Sequence, residues 1–223
     1  MRNFVLELDS VICGDNVVEK FYSKYASDIE FKNWLNSILP EIQKCENQQQ
    51  NNPWHKYNVL GHILHSVEEV NKLSVGLGDN KRRLLSYAML FHDIGKPDKH
   101  IQRMKNGQVI DSFFDHNIKS AEIANRVLPM LEFDKNEVLI IAKLIFKHDI
   151  FMFIKRFKSD NKYWRVLNRE LIAEEIQDLN EVGDGKELLK MLVLIGKADN
   201  FAQNEKMTGE SLNLLDEFEH MIE

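Results

Sequence analysis

A histidine and an aspartate stand side by side in SYAMLFHDIGKP, residues 86–97, where an apolar helical run meets Gly95 and Pro97. Gly-Lys-Pro is a helix-ending sequence, so the pattern places His92 and Asp93 at the buried end of a helix. Burying an unpaired carboxylate is costly, which means that Asp93 needs a positively charged partner. The rest of the chain is expected to supply the groups that complete this site.

Further histidines and an aspartate lie on or near the apolar faces of predicted helices. At about 100° per residue, His62 lies at the edge of the apolar stripe in GHILHSVEEV, whereas His65 lies on the polar side. Asp199 lies inside the stripe of KELLKMLVLIGKADNFAQN, where a carboxylate must meet a cation or hydrogen-bond donors. His116 and His148 point inward from two other helices. Taken singly, each histidine also fits a core residue bonded to backbone, and Asp199 also fits a buried ion pair with Arg or Lys.

Together these residues predict a metal site. Histidine mixed with carboxylate suits a divalent first-row ion, namely Fe, Mn, Zn, Co or Ni, with Mg as a further candidate. Asp93 has two oxygens and can bridge two ions, with His116 and His148 completing the second site. We therefore expect one or two divalent ions.

The order H…HD…D, at His62, His92-Asp93 and Asp199, resembles the HD superfamily of metal-dependent phosphohydrolases, and HDIGKP is a typical form of its central motif. The resemblance implies that these four residues hold the first metal. His116 and His148, which lie between the HD pair and the last aspartate, resemble the versions that hold two metals.

A closer resemblance covers roughly residues 28–204. The segments FKNWLNSILPEI, NPWHKYNVLGHILHSVE, LFHDIGKP, FDHNIKSAEIA and LIGKADNFA are similar to the HD portion of bacterial CCA-adding tRNA nucleotidyltransferases. The chain is too short for the nucleotidyltransferase head and has no Gly-Ser plus paired-Asp signature of one. Nucleotide addition is therefore not predicted.

The resemblance implies an enzyme that hydrolyses phosphomonoester or phosphodiester bonds of nucleotides, cyclic nucleotides or nucleic-acid ends by a metal-activated water. A metal can lower the pKa of bound water from about 16 to about 7. Asp93 and Lys96 are the expected catalytic residues. Lys96 either contacts a substrate phosphate or interacts favourably with the dipole at the end of a helix. The alternative is a non-catalytic helical module that binds RNA or a partner around a structural metal. The complete ligand set favours the enzyme.

The segment KHDIFMFIKRFKSDNKYWRVLNR, residues 147–169, bears on the substrate. It contains seven Lys or Arg against two Asp, with Phe151, Phe153, Phe157, Tyr163 and Trp164 between the charges. One interpretation is base stacking with phosphate contact, on a nucleotide or an RNA end. The other is a set of core aromatic residues with a solvated basic face.

Composition limits the other function classes. The 223 residues carry a net charge of −6, which argues against a dedicated duplex-DNA binder. Two separated cysteines fit a reduced cytosol better than a disulfide scaffold. No signal peptide and no run of about 18 apolar residues occurs, so we expect a cytoplasmic protein that does not span a membrane.

Helical periodicity dominates the chain and predicts an all-α fold, a single-domain helical HD-domain bundle with a buried metal site. We expect an N-terminal helical lead packed on the core over 1–50, a metal-binding core over 51–204 and a C-terminal helical tail over 205–223, all in one structural unit. Pro40 marks a kink or boundary, and Asn106-Gly107 marks a candidate hairpin in an otherwise irregular stretch. Helices are expected near 116–131, 135–148, 165–180 and 185–204, with a short helix over 208–223.

Overall fold

The structure, a computed structural model, describes residues 2–156 and 164–223. It is 70% helical, and the described residues form eleven α-helices, so the all-α prediction is confirmed. The helices are α1 (Phe4–Ile12), α2 (Val17–Ser27), α3 (Ile29–Ile38), α4 (Glu41–Asn47), α5 (Val59–Leu73), α6 (Asp79–Phe91), α7 (His116–Val127), α8 (Lys135–Lys147), α9 (Arg169–Leu179), α10 (Gly185–Phe201) and α11 (Glu205–Ile222).

Short 3-10 helices and two small sheets connect these α-helices. The 3-10 helices are Lys96–Lys99, Leu128–Leu131 and His148–Phe153. An antiparallel hairpin pairs β1 (Ile101–Lys105) with β2 (Gln108–Ser112), and a two-residue parallel pair joins β3 (Ile154–Lys155) to β4 (Arg165–Val166).

Side-chain caps fix where the site-bearing helices begin. Asn58 accepts a hydrogen bond from Gly61 N at the start of α5, and Asp184 accepts one from Glu187 N at the start of α10. Asp134 and Glu137 form a reciprocal capping box on α8. Because a cap satisfies backbone N–H groups that the first turn leaves free, these residues set the start of the helices that carry the site.

One hydrophobic cluster connects all parts of the fold. α5, α6 and α10 pack on one another, α8 packs on α6, and α7 packs on α8. Phe21 of α2 and Phe218 of α11 are fully buried in the same cluster as Phe91 of α6. The N-terminal helices and α11 therefore share the core of the helices that carry the predicted ligands.

Several details differ from the sequence predictions or sharpen them. The hairpin is confirmed, since Asn106 and Gly107 take φ values of 50° and 77° in its turn, as a tight turn of this kind requires. The helix expected over 165–180 begins only at Arg169, because Asn168 caps it and the preceding residues pair as β4. The tail forms an 18-residue helix that begins at Glu205. No helix in the described part of the chain is long and apolar enough to cross a membrane.

Candidate metal centre

The six side chains predicted as metal ligands meet in one place, although they come from five separate helices or the residues that directly follow them. They are His62 of α5, His92 and Asp93 just after α6, His116 in the first turn of α7, His148 just after α8, and Asp199 near the end of α10. The first five are each at most 8% exposed. The side chain of Asp199 is 20% exposed, so the group reaches solvent on its side.

Four of these residues form a first group around His62 Nε2. That atom lies 2.8 Å from Asp199 Oδ1, 3.3 Å from Asp93 Oδ2 and 3.4 Å from His92 Nε2. His92 Nε2 lies 3.4 Å from Asp93 Oδ2 and 3.7 Å from Asp199 Oδ1. An ion with ligands at about 2.1 Å separates adjacent ligand atoms by about 3.0 Å in octahedral and about 3.4 Å in tetrahedral geometry. The first group therefore has the dimensions of a single-ion site.

A second group lies on the other side of Asp93. His116 Nε2 lies 3.0 Å from Asp93 Oδ1 and 3.2 Å from His148 Nε2, and His148 Nε2 lies 3.8 Å from Asp93 Oδ1. Asp93 thus directs Oδ2 to the first group and Oδ1 to the second. His62, His92 and Asp199 in the first group, and Asp93, His116 and His148 in the second, each form a set that could hold a metal ion. The Asp93 carboxylate lies where a bridge between two ions would need it.

The chain places His92 and Asp93 together because α6 stops at Phe91. Residues 92–95 form turns, and a 3-10 helix follows at Lys96. The backbone of Gly95 lies against α7, where its N–H donates to Ser120 Oγ at 3.0 Å. The predicted helix end at the HD pair is confirmed, and it lets both side chains face the same site.

Backbone carbonyls fix the orientation of three histidine rings. Nδ1 of His92 lies 2.6 Å from Met89 O, and Nδ1 of His148 lies 2.7 Å from Ile145 O. Nδ1 of His116 makes the same kind of contact with Phe113 O at 2.8 Å. A carbonyl only accepts, so each Nδ1 is the protonated nitrogen and each Nε2 presents a lone pair in the neutral ring, the arrangement that metal-binding histidines use.

This arrangement fits a cation and is poorly satisfied without one. The Nε2 atoms of His116 and His148 are both acceptors in the neutral rings, yet they lie only 3.2 Å apart. Among the described residues, Asp93 Oδ2 is buried and has no partner with hydrogen-bond geometry, although Lys96 Nζ lies 2.5 Å away. His62 Nδ1 is likewise buried without a partner in the described part of the chain. This set of histidine and carboxylate ligands therefore fits divalent ions.

Electrostatics within the first group point in the same direction. Burial opposes the charged form of His92, but Asp93 and Asp199 outweigh it and raise the pKa to about 10. Burial acts to raise the pKa of both carboxyls. The charges of Lys96 and His92 nevertheless hold the pKa of Asp93 well below its usual value. Contacts with His62 and His92 do the same for the pKa of Asp199. The carboxylates thus remain charged and attract positive charge into the site.

The two histidines of the second group differ from each other. Burial opposes the charged form of both. For His116, Asp149 and Asp93 outweigh burial and raise the pKa, whereas for His148 burial prevails and lowers it. His148 is therefore the more readily available neutral ligand.

Lys96 is buried inside the centre. Its Nζ lies 2.5 Å from Asp93 Oδ2, donates to Gln50 Oε1 at 2.9 Å and lies 3.2 Å from His55 Nε2. Since Nδ1 of His55 lies 2.8 Å from Asn52 Oδ1, the ring donates there and accepts from the ammonium. Burial and the neighbouring Lys96 charge lower the pKa of His55 to about 2. Contact between Lys96 and a substrate phosphate stays a prediction.

Two site residues were not predicted from the sequence. His55 lies in the loop before α5, and its ring nitrogen, that of His62 and an oxygen of Asp93 form a third group that can hold a metal. Asp149 lies beside the second group, with its oxygens 3.4 Å from the Nε2 atoms of both His116 and His148. The repeated His-Asp dipeptide at 148–149 was the signal that could have identified Asp149.

His65 lies outside the centre, as its position on the polar side of the helix predicted. Its ring stacks on Tyr57, with ring centroids 4.1 Å apart.

In the basic segment 147–169, Phe157 and Tyr163 lie outside the described residues. Three of the segment's described cations are paired with carboxylates: Lys147 with Glu175 and Asp178, Arg156 with Glu217, and Arg165 with Glu174 and Glu175. Much of the charge in the described part of the segment is therefore neutralised by α9 and α11.

The sequence model of the HD domain family matches residues 59–203, a range that contains all six predicted ligands. The chain belongs to the HD domain family. HD domains bind divalent metals, and membership implies a function of the metal-dependent phosphohydrolase type. The loop that carries His55 precedes the matched HD region.

One curated relative of this HD protein is a bifunctional uridylyltransferase/uridylyl-removing enzyme from Gluconobacter oxydans (strain 621H). The two are 25% identical over 186 residues, which is 78% of this chain and 17% of the relative. The chain therefore spans less than a fifth of that relative's length. The closer resemblance to CCA-adding enzymes stays a prediction.

Proposed function

We propose that this HD protein is an enzyme that hydrolyses phosphomonoester or phosphodiester bonds of nucleotides, cyclic nucleotides or nucleic-acid ends. The observation that carries the proposal is the position of Asp93, whose two oxygens face two separate groups of histidine and carboxylate ligands. A single closed structural site needs only four strong ligands. Six ligands in two groups that share one carboxylate instead favour a two-ion catalytic centre.

Divalent ions bound here would supply an activated water and neutralise charge on a phosphoryl group. His62, His92, Asp93 and Asp199 would hold the first ion, and Asp93, His116 and His148 would hold the second. The carbonyls of Met89, Phe113 and Ile145 orient three of the rings. Lys96 keeps Asp93 ionised and in place, because its ammonium contacts one carboxylate oxygen.

The substrate approaches where the centre meets solvent. Asp199 and Asp149 are 20% and 24% exposed, whereas the four histidines and Asp93 are nearly buried. Exposed Phe114 and Phe146 lie two residues before His116 and His148, where they can contact a base or another apolar part of the substrate.

The relative's name suggests one substrate to include in a screen. A uridylyl-removing enzyme detaches a nucleotidyl group, and this agrees with the nucleotide phosphoesters expected here. We therefore include nucleotidyl diesters beside monophosphates and cyclic nucleotides.

The proposal also covers the organisation and location of the protein. Residues 51–204 form the catalytic core, with 1–50 and 205–223 packed on it as one unit. The protein acts in the cytoplasm, in keeping with two unpaired thiols, at Cys13 and Cys45.

The test compares the wild type with Asp93→Ala after chelation and reloading with Mn, Fe, Zn, Co, Ni or Mg. The probes are p-nitrophenyl phosphate, bis-p-nitrophenyl phosphate, nucleoside monophosphates, cyclic nucleotides and a nucleotidyl diester. We expect metal-dependent hydrolysis by the wild type and a loss of at least about 100-fold in Asp93→Ala, because both ion groups lose a ligand. Circular dichroism should show that the variant remains helical.

Asp98→Ala is the matched control. Asp98 lies in the same short segment, is exposed and pairs only with the exposed Lys44 among the described residues. Exposed pairs contribute little to stability, so this variant should hydrolyse like the wild type. Equal activity in Asp93→Ala would refute the proposal, and RNA binding that survives chelation, without hydrolysis, would favour the non-catalytic module.

A further inference from the structure

Asp149 is a carboxylate whose position no part of the predicted ligand set explains. It follows His148 directly, at the point where α8 gives way to the 3-10 helix His148–Phe153. Its Oδ1 lies 3.4 Å from His148 Nε2, and its Oδ2 lies 3.4 Å from His116 Nε2. A carboxylate that faces two imidazole nitrogens in this way needs either protons or a cation between them.

Hydrogen bonding from the neutral rings does not explain these contacts. The Nδ1 atoms of His116 and His148 already donate to Phe113 O and Ile145 O, so both Nε2 atoms present lone pairs. In the described part of the chain, the two histidines are the only ion-pair partners within 4.0 Å of Asp149. With both rings neutral, as ligands of an ion are, the second group is a set of acceptors directed at one another.

The distances within this set match those of an ion site. Four of the five measured pairs among Asp93, His116, His148 and Asp149 lie 3.0–3.4 Å apart, and the fifth, His148 Nε2 to Asp93 Oδ1, lies 3.8 Å apart. Asp149 uses Oδ2 in its pair with His116 and Oδ1 in its pair with His148. Ligands at about 2.1 Å from one ion lie about 3.0–3.4 Å apart. Asp149 therefore stands where a fourth ligand would stand.

We infer that Asp149 is a further ligand of the second ion, which gives that ion two histidines and two carboxylates. The inference rests on the two-ion centre of the proposed function. Since carboxylate ligands suit harder ions, this set favours Mn²⁺ or Fe²⁺. Asp149 is also the most exposed ligand of the second group, so a substrate approaches the second ion beside it.

The test counts bound Mn²⁺ by equilibrium dialysis with plasma mass spectrometry, and measures its affinity by titration calorimetry. The proteins are the full-length wild type, Asp149→Asn, His116→Asn and Asp115→Asn. Asp115 is exposed and adjoins His116, so Asp115→Asn removes one negative charge near the centre but no ligand. Circular dichroism checks that each variant is folded.

We expect the wild type to bind two Mn²⁺ and Asp149→Asn to bind the second at least about tenfold more weakly. His116→Asn should lose the second ion, and Asp115→Asn should bind both within about twofold of the wild type. Two Mn²⁺ held by Asp149→Asn at wild-type affinity would overturn the inference and leave the proposed function intact. A wild type that binds one ion or none would overturn the two-ion centre and, with it, the role of Asp149.

Discussion

Asp93 has a positively charged neighbour even before an ion binds, because Lys96 Nζ lies 2.5 Å from its Oδ2. Gln50 and His55 accept from the same ammonium, so three residues, Asp93, Gln50 and His55, depend on this one side chain. Lys96 therefore has two opposing effects: it stabilises the metal-free fold and repels an incoming cation.

Replacing Lys96 with methionine should separate these two effects. Removing one partner of a buried charged pair costs about 3–5 kcal/mol, so the free energy of unfolding of the chelated protein should fall by an amount in that range. The affinity for the first divalent ion should rise, since the repulsion is gone. Urea unfolding with chelator and calorimetric metal titration measure the two quantities.

Lys99→Met is the control, because Lys99 lies in the same 3-10 helix but is only half-buried. It should change neither quantity appreciably. A Lys96→Met protein with wild-type stability in chelator would contradict the electrostatic role. A loss of kcat/KM with full ion content would instead support the predicted contact with a substrate phosphate.

At the residue scale, the sequence predicts the direction of a side chain only where that residue lies in a regular helix. His62, His116, His148 and Asp199 followed from helical periodicity, and the structure brings them together with the HD pair. His55 and Asp149 could not be predicted in this way. His55 lies in a loop and Asp149 lies in a 3-10 helix, where α-helical periodicity does not indicate the direction of a side chain. Their partners come from other elements.

At the element scale, the contact between the end of α6 and the start of α7 determines whether the two ion groups share Asp93. A Cβ at Gly95 would lie 2.7 Å from Ser120 N and 2.8 Å from His116 O. Both are backbone atoms of α7, so they cannot move aside as the end of a side chain would. The absence of a side chain at Gly95 thus lets α7 bring His116 to within 3.0 Å of Asp93.

Gly95→Ala should therefore destabilise the protein and weaken the second ion. Overpacking of this kind costs about 1–3 kcal/mol, and displacement of α7 should lower the affinity for the second Mn²⁺ more than that for the first. Gly209→Ala is the control, because Gly209 lies in α11 with open space around it. Alanine there should stabilise the helix by about 0.5–1 kcal/mol. Equal effects of the two substitutions on stability and on metal binding would contradict this account.

Boundaries between elements were predicted well where local chemistry decides them. Pro40 separates α3 from α4, and Asn106-Gly107 forms the hairpin turn. The start of α9 was predicted too early, because residues 165–166 pair with β3, a contact that no local pattern reveals. The hairpin also docks on the loop before α5, where Asn51 N donates to Asp111 Oδ2 at 2.7 Å, and this too was not visible in the sequence.

At the scale of the whole molecule, ions in the centre would connect α5, the end of α6, α7, the end of α8 and α10. An ion that binds only the folded chain stabilises it by about 2.7 kcal/mol at 100 times its Kd. For a protein of this size that corresponds to a rise in Tm of about 5–10 °C per ion. Chelation should therefore lower the Tm by at least this amount.

Differential scanning calorimetry in chelator and in increasing Mn²⁺ measures the shift, with the Asp98→Ala protein as a reference that should follow the wild type. Asp93→Ala should show little dependence on Mn²⁺, because it lacks the shared ligand. A Tm of the wild type that does not respond to any of the divalent ions would contradict a centre built into the fold.

The wide separation of the ligands along the chain has a consequence for biosynthesis. Asp93, His116 and His148 have all been synthesised well before Asp199, and α10 then has to pack against α5 to bring Asp199 within 2.8 Å of His62. A nascent chain that folds from its N-terminus would thus carry every proposed ligand of the second ion while the proposed set for the first ion is still incomplete. The proposed second position would therefore be available for loading first, and the proposed first position would be complete only after Asp199 has been synthesised.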